Sequence, residues 1–596
     1  MLDYKNSRLD YGKQISPPPG YVLDRAVTTT YSLEMMALLS VPVALIYSKN
    51  LDDRENWMNL FDSIRKASEK LKVYCQKSKI IDPKKPNILF ALVEDIITEI
   101  LPPSSGISFH PKIWVLRFTG PQNSILYRFI VLSRNLTFAR DWDIAFSTEG
   151  FVSKTVRLKN KPLTDYVSYL AQKSDFEDSK RFIIDLNKVD FQIDWPFEDF
   201  QFHPIGFGKY LNPLSEEKFH DLIIISPFLD AVTLKHFSQP DIVKGNRYLF
   251  SRKEELDKIH LDILGSFTNV YSFSGRIVDG EEDVETLEED EVPLQQNLHA
   301  KIFIGNRPDG RTSWFLGSAN CSGPAIKRNE EFLIRLNSND SLASVTSALT
   351  SLVSKADDLM IFDKYERETR EPVETDEYDF REDIHSFLTY LSDPKNLKIE
   401  CPPNPLEAGH FDLSVEFLNE FILANPDLRI SFAPFGRTEV LKYMDFGNPV
   451  SFTDIALHHL SKFFAWKVEH VKRDEMKEFV LKMEFVIPDG RQEAIYKNIF
   501  EDKDKFFQFL RFLLGNINDG TDQNVISKNT GKNKGDQEGI WNYDTPIFEE
   551  LLFAASREPE RLKEIETLIN KIKASGSGDI IPEEFLKIWN AFHELI

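Results

Sequence analysis

Three residue types recur in the same order at two places in the chain. His110 is followed two positions on by Lys112, and 25 residues after His110 comes Asn135. His299 is followed two positions on by Lys301, and 21 residues after His299 comes Asn320. Each Asn closes a Ser-x-Asn tract, Ser133-Arg134-Asn135 and Ser318-Ala319-Asn320. An imidazole serves as nucleophile or proton carrier near neutral pH, because its unperturbed pKa is about 6.5. Ammonium and amide groups suit the non-bridging oxygens of a phosphate. Two such sets fit a phosphodiester. One His attacks phosphorus, while the other protonates the departing oxygen and then deprotonates a water. Residues i and i+2 of a strand share a face, so each His/Lys pair addresses one group. Ser133 and Ser318 add hydroxyls that donate to a phosphate or bind the opposite histidine.

The elements around these residues repeat in order. Thr28–Leu39 reads as a strand turning into a helix, Val41–Tyr47 as an apolar strand, and Ile113–Phe118 as the strand that His110 leads. Phe129–Leu132 is the strand before Ser133. In the second copy Leu222–Phe237 is again strand-to-helix, Arg247–Ser251 a short strand, Ile302–Gly305 the strand that His299 leads, and Ser313–Leu316 the strand before Ser318. One His-x-Lys is a weak signal. Two of them, each inside the same order of elements and each followed by Ser-x-Asn, are a strong one. The expected fold is α/β: two α-β-α sandwich units related by a pseudo-twofold axis, with a C-terminal α+β accessory region. The expected boundaries are a loose arm at 1–15, a first repeat at 16–205, a second at 206–374 and the accessory region at 375–596. A mobile loop is expected at 515–539, where apolar residues are nearly absent.

These motifs resemble the duplicated half-sites of the phospholipase D superfamily. The common form is His-x-Lys-x4-Asp followed by Gly-Ser-x-Asn; here Arg117 and Asn306 stand where the two Asp residues are expected. Both Asp residues replaced, with His, Lys and Asn retained, is similar to the tyrosyl-DNA phosphodiesterase branch. The tracts Tyr31–Leu39, Ser133–Leu136 and Asp141-Trp142-Asp143 resemble that branch too. The resemblance implies a phosphohistidine on His110, with His299 as acid then base. It implies a phosphate cradle of Lys112, Lys301, Asn135 and Asn320, and no metal or other cofactor. It also implies a carboxylate after each Asn motif that orients the opposite histidine: Glu331 in the second copy, Asp143 in the first.

Charge and composition narrow the function classes. The net charge of −22 argues against a protein that coats DNA nonspecifically. Between Ser104 and Arg140, however, the chain carries Lys112, Arg117, Arg128, Arg134 and Arg140 and no acid, which reads as a basic rim beside the phosphate site, with Arg134 as a substrate contact. Tyr31 and Phe228 occupy similar repeat positions and are candidates for stacking on substrate, set against a packing role; Trp114 and Trp314 read as core. Asp279–Glu291 packs nine carboxylates into thirteen residues, a solvated loop or, in the sharper reading, a polyanionic gate over a basic groove. Cys75, Cys321 and Cys401 form no disulfide pattern, and the first residues are polar. Both point to a cytoplasmic setting without a membrane partner; Cys321 reads as a buried thiol. The function expected is a metal-independent nuclease or DNA-end-processing phosphodiesterase. Phospholipid phosphodiesterase or phosphatidyltransferase activity and a non-catalytic nucleic-acid-binding scaffold are the alternatives. The layout resembles bacterial superfamily members that travel with helicases in antiviral DNA defence or repair. DNA, a helicase or other protein, and a second subunit are therefore the expected partners.

Overall fold

The computed structural model describes residues 11–46, 57–83, 87–139, 141–176, 178–274, 297–353, 361–367, 380–419, 427–473, 475–499, 559–574 and a few positions from 581 to 590. The acidic run 279–291, the loop 515–539 and Arg140 lie outside the described residues. Of the segment expected as a loose arm, residues 11–15 form a short helix, α1 (Tyr11–Ile15), with Ile15 buried.

Seven strands form the first sheet: β1 (Val22–Thr30), β2 (Leu71–Gln76), β3 (Ile97–Ile100), β4 (Ile113–Thr119), β5 (Ile125–Leu132), β6 (Ala145–Val152) and β7 (Val189–Phe191), in spatial order β7-β6-β5-β4-β1-β2-β3. Eight form the second: β8 (Asp199–Ile205), β9 (Leu222–Ile225), β10 (Arg247–Ser251), β11 (Asn269–Phe273), β12 (Ile302–Asn306), β13 (Thr312–Gly317), β14 (Glu331–Ser338) and β15 (Phe362–Lys364), in order β8-β14-β13-β12-β9-β10-β11-β15. The central six strands match position by position. In each copy three antiparallel pairs are followed by two parallel ones, β6/β5/β4/β1/β2/β3 and β14/β13/β12/β9/β10/β11. The duplication read from the sequence is therefore a duplication of topology.

Alternation along the strands explains how the two sheets meet. Ile113, Val115, Phe129 and Val131 point into one core together with Ile223, Ile225, Ile302, Ile304, Trp314 and Leu316 from the second sheet. Their neighbours Trp114, Leu116, Ile130 and Leu132 point to the other side of the first sheet, and Leu222, Ile224, Phe303 and Phe315 to the other side of the second. A strand places successive side chains on opposite faces. A run that is apolar throughout therefore reads as a strand covered on both faces. Phe129 bridges the sheets, with ring centroids 4.8 Å from Phe202 and 5.5 Å from Phe332. Both motif-strand tryptophans are core, as expected.

One strand expected from the sequence is absent. Val41–Tyr47, read as strand, is helical as far as Ile46, where it continues α2 (Met35–Ile46) through Pro42; Tyr47 lies outside the described residues. A short, wholly apolar run carries no periodicity to separate a buried helix from a buried strand. The next strand, β2, comes only after a further helix, α3 (Trp57–Ser68).

Contacts divide the chain into two units. One comprises Met1–Ile399, Val415–Val450 and Ser461–Glu484; the other comprises Glu400–Ser414, Ser451–Leu460 and Phe485–Ile596. Strands β16 (Leu428–Pro434), β17 (Phe463–His470) and β18 (Glu475–Lys482) thus belong with the first unit. There β18 extends onto the short strand Ile80–Ile81 through the Val480–Ile80 pair. Helix α4 (Phe380–Ser392) belongs to the same unit. No helix among the described residues is long and apolar enough to cross a membrane.

Candidate active site

Strand direction brings the two motif residues of each copy together. His110 and Lys112 stand just before β4, while Ser133 and Asn135 stand just after β5, its antiparallel neighbour. The same holds for His299 and Lys301 before β12 and for Ser318 and Asn320 after β13. The parallel strands β1 and β2 end at that edge too, placing Tyr31 there. Their counterparts β9 and β10 place Phe228 and Arg252 there. Gly317 closes β13 at φ +149°, where an added Cβ would lie 2.1 Å from the Phe332 carbonyl oxygen. Glycine alone lets the chain turn so close to β14.

The two copies then exchange partners. His110 N–H donates to the Glu330 carbonyl at 2.9 Å, and His299 N–H donates to the Trp142 carbonyl at 2.8 Å. Glu331 and Asp143 are the next residues in each case, so the two carboxylates occupy equivalent places opposite the other copy's histidine. The support repeats as well. Phe332 N–H donates to Ser318 Oγ at 2.9 Å, and Ile144 N–H donates to Ser133 Oγ at 2.9 Å. Both serines are fully buried and serve the fold of the site.

The histidine settings nevertheless differ. His110 Nδ1 lies 2.8 Å from Glu331 Oε2, in a ring that is 13% exposed. Ser318 Oγ and Asn329 Nδ2 donate to the same carboxylate. With Nδ1 engaged, Nε2 is the nitrogen left to meet a substrate. Tyr31 packs its ring against the imidazole, centroids 5.1 Å apart. His299 Nδ1 and Asp143 Oδ2, by contrast, are buried without a hydrogen-bond partner among the described residues. Arg134 lies 3.6 Å from Asp143 and donates to the Thr137 and Ala139 carbonyls.

Lys112 and Lys301 are both fully buried. Lys112 Nζ donates to the His110 carbonyl at 2.9 Å, and Lys301 Nζ donates to the His299 carbonyl at 2.7 Å and to the Ser133 carbonyl of the other copy at 3.4 Å. Burial pushes the Lys112 ammonium down to about 7, opposed by Glu331. Burial and repulsion from Lys112 hold Lys301 well below the usual lysine range. Burial and the two lysines also hold both imidazoles well below the ordinary histidine value, and His110 adds to the depression of His299. Burial raises Glu331 to about 8 and Asp143 to about 6. The depressed lysine and histidine values mean that the surroundings do not stabilise all four groups in their charged forms together. An anion placed among them favours protonation. Asn135 Oδ1 and Asn320 Oδ1 are likewise buried without a partner among the described residues.

Two sequence expectations change here. Of the five cations expected to form a basic rim, Arg117 and Arg128 are engaged elsewhere, and Arg140 lies outside the described residues. Arg117 is 2% exposed and pairs with Asp24 and with Asp185 at 2.9 Å. Arg128 is bound to Glu149 and to the Gln14 and Ser16 carbonyls. Both lie along β4 and β5, where the pleat directs them to local carboxylates; of the other described members of that set, Lys112 enters the site and Arg134 stands beside Asp143. Arg252, which the sequence reading passed over, does belong to it. It follows β10, donates to the Leu298 carbonyl at 2.8 Å, lies 4.9 Å from the Phe228 ring centre, and its charge lowers the His299 and Lys301 values. The available signal was its place directly after the repeat's second parallel strand. Cys321 is buried, and burial pushes its thiol up, in keeping with a packing role. In the second unit, Glu407, His410 and Asp454 bring three potential ligand atoms within 4.8 Å of one another at a partly exposed position.

No protein family model matches the chain, and no curated protein sequence matches it. Among solved structures it is similar to yeast tyrosyl-DNA phosphodiesterase, at 12% identity over 56% of this chain and 87% of that one, with a TM-score of 0.35. It is also similar to phosphatidylserine synthase from Haemophilus influenzae, at 10% identity over 57% and 82%, TM-score 0.32. A third is polyphosphate kinase from Porphyromonas gingivalis, at 11% identity over 61% and 50%, TM-score 0.30.

Proposed function

We propose that the chain is a metal-independent phosphodiesterase that acts on nucleic acid through a phosphohistidine. The observation that carries this reading is the exchange between copies: Glu331 of the second copy holds His110 of the first, and Lys301 of the second reaches Ser133 of the first. A scaffold has no use for two fully buried lysines beside two largely covered histidines, because each buried charge without a matched partner costs stability.

In the proposed mechanism His110 Nε2 attacks phosphorus, and the bond to the leaving oxygen breaks. Imidazolium His299 gives that oxygen its proton. A water then attacks the phosphoramidate and loses its proton to His299; the P–N bond breaks, releasing the phosphate ester and free His110. Lys112, Lys301, Asn135 and Asn320 neutralise the non-bridging oxygens, and the bound phosphate raises the His299 pKa enough for it to carry the proton.

The test is a chelator-containing assay with single-stranded, duplex and end-blocked DNA beside a phospholipid diester, followed by trapping of the covalent adduct. Turnover of DNA with phosphate on His110 is expected. Phosphate on His299 and none on His110 would reverse the assignment of roles. Turnover of the phospholipid alone would assign the chain to lipid chemistry.

A further inference from the structure

A cavity of about 340 Å³ opens beside the His110 half-site. Tyr31 and Asn329 form the wall that it shares with that half-site, and both touch the machinery there. Tyr31 packs on His110, and Asn329 donates to Glu331. The other side carries Lys77, Lys79, Arg381 and Lys477, and no Asp or Glu is among the lining residues that are described. These cations come from separate elements. Lys77 and Lys79 lie in the turn after β2, Lys477 lies on β18 and Arg381 lies on α4. Lys79 Nζ stands 5.1 Å from the centre of the Tyr31 ring, which itself stands 5.1 Å from the His110 ring. The cations therefore begin two such steps from the proposed nucleophile, the reach of a nucleotide or two along a strand.

We propose that this cavity is a subsite for a single polynucleotide strand, in which Lys79, Lys477 and Arg381 take the phosphate next to the one attacked by His110. The proposal rests on the phosphodiesterase reading and adds to it the strandedness of the substrate and the side on which the strand runs. The volume is that of a small-ligand pocket. It admits one nucleotide and excludes a duplex. Its polarity suits a backbone: an array of cations beside an aromatic ring is the pattern that tracks single strands without reading bases. Repulsion from Lys79 and burial lower the Lys477 value; burial and Arg381 lower the Lys79 value, which a side-chain hydrogen bond with Lys477 raises.

The experiment uses the full chain and compares it with Lys79→Gln/Lys477→Gln, Arg381→Gln and the charge-keeping Lys79→Arg/Lys477→Arg. Binding of a fluorescein-labelled oligothymidine is followed by anisotropy, in chelator, over a salt series. Cleavage of the same oligonucleotide is compared with cleavage of bis(p-nitrophenyl) phosphate. Removing both lysines should lower the slope of log affinity against log salt by up to about 0.7, the value for one phosphate contact on a single strand. The double Gln variant should lose at least tenfold more kcat/KM on the oligonucleotide than on the small diester, mainly through KM. Arg381→Gln should show the same pattern more weakly, and the double Arg variant should restore binding. An unchanged slope, or binding of phosphatidylglycerol vesicles in place of the oligonucleotide, overturns the subsite. Absence of cleavage of either diester overturns the phosphodiesterase reading, while the salt slope still decides whether the cavity takes a strand.

Discussion

Two histidines from equivalent places in two copies of one sheet are held in different ways. His110 is tied through Nδ1 to a buried carboxylate, which is itself tied to Ser318 and Asn329, and an aromatic ring packs on its side. His299 has its backbone anchored in the same manner, yet its Nδ1 and Asp143 Oδ2 have no hydrogen-bond partner among the described residues. A group that attacks must present one lone pair in one direction, and a buried carboxylate achieves that orientation. A group that shuttles a proton must change its charge, and looser support suits it better. On the proposed roles, what surrounds each ring sets the two histidines apart, while the strand order is the same in both copies.

The sharpest way to break this comparison is to remove each ring in turn. His110→Ala should lower turnover of bis(p-nitrophenyl) phosphate on the order of 10⁴-fold or more and leave no covalent adduct. His299→Ala should cost on the order of 10²–10⁴-fold and let the adduct on His110 accumulate, because a nitrophenolate leaves without an acid while hydrolysis still needs a base. Rapid quench with mass mapping reads both; an adduct in the His110→Ala protein ends the assignment.

The carboxylates come next. Glu331→Gln should lower kcat on the order of 10²-fold, whereas Asp143→Asn should cost less than about tenfold. Equal losses in steady-state rates would show that the two supports are equivalent after all.

A pH profile sharpens the charge side. Lysine is charged below its pKa, and Lys112 is pushed down to about 7. The free-enzyme profile, kcat/KM, should therefore fall as pH rises through about 7, by up to about tenfold per unit. Lys112→Arg should carry that limb to higher pH. A limb that does not move in the Arg variant would remove Lys112 from the phosphate cradle.

The smallest effects concern stability. Lys301 is fully buried beside another cation, so Lys301→Met should abolish activity yet leave the thermal midpoint equal or higher, read by calorimetry. Glu331 works on pH. Its folded value is raised to about 8 from an unfolded value of about 4.3. Its contribution to stability is fully present below the unfolded value and is lost as pH rises through about 8. Glu331→Gln should flatten that part of the stability profile.

His110, Lys112, Asn135 and their second-copy partners were legible because spacing and strand order survive in the linear pattern. Glu331 was legible through its place after Asn320. Arg252, Lys79 and Lys477 were not, since each lies far along the chain from the motif it serves. Arg117 and Arg128 misled because a run of cations says nothing about what each one meets across the sheet. Along β4 the same sorting applies to apolar neighbours: Val115 joins the inter-sheet core, whereas Trp114 and Leu116 lie behind it.

By itself the sequence determined the duplication, the apolar strands covered on both faces, and the chemical inventory of the two half-sites, because periodicity and side-chain type are local properties. The tertiary structure alone decided that Glu331 bonds His110 while His299 Nδ1 has no such bond among the described residues, that the lysines are buried, and which distant cations gather beside Tyr31. Those depend on where separate strands end at one edge, and burial and charge act through space.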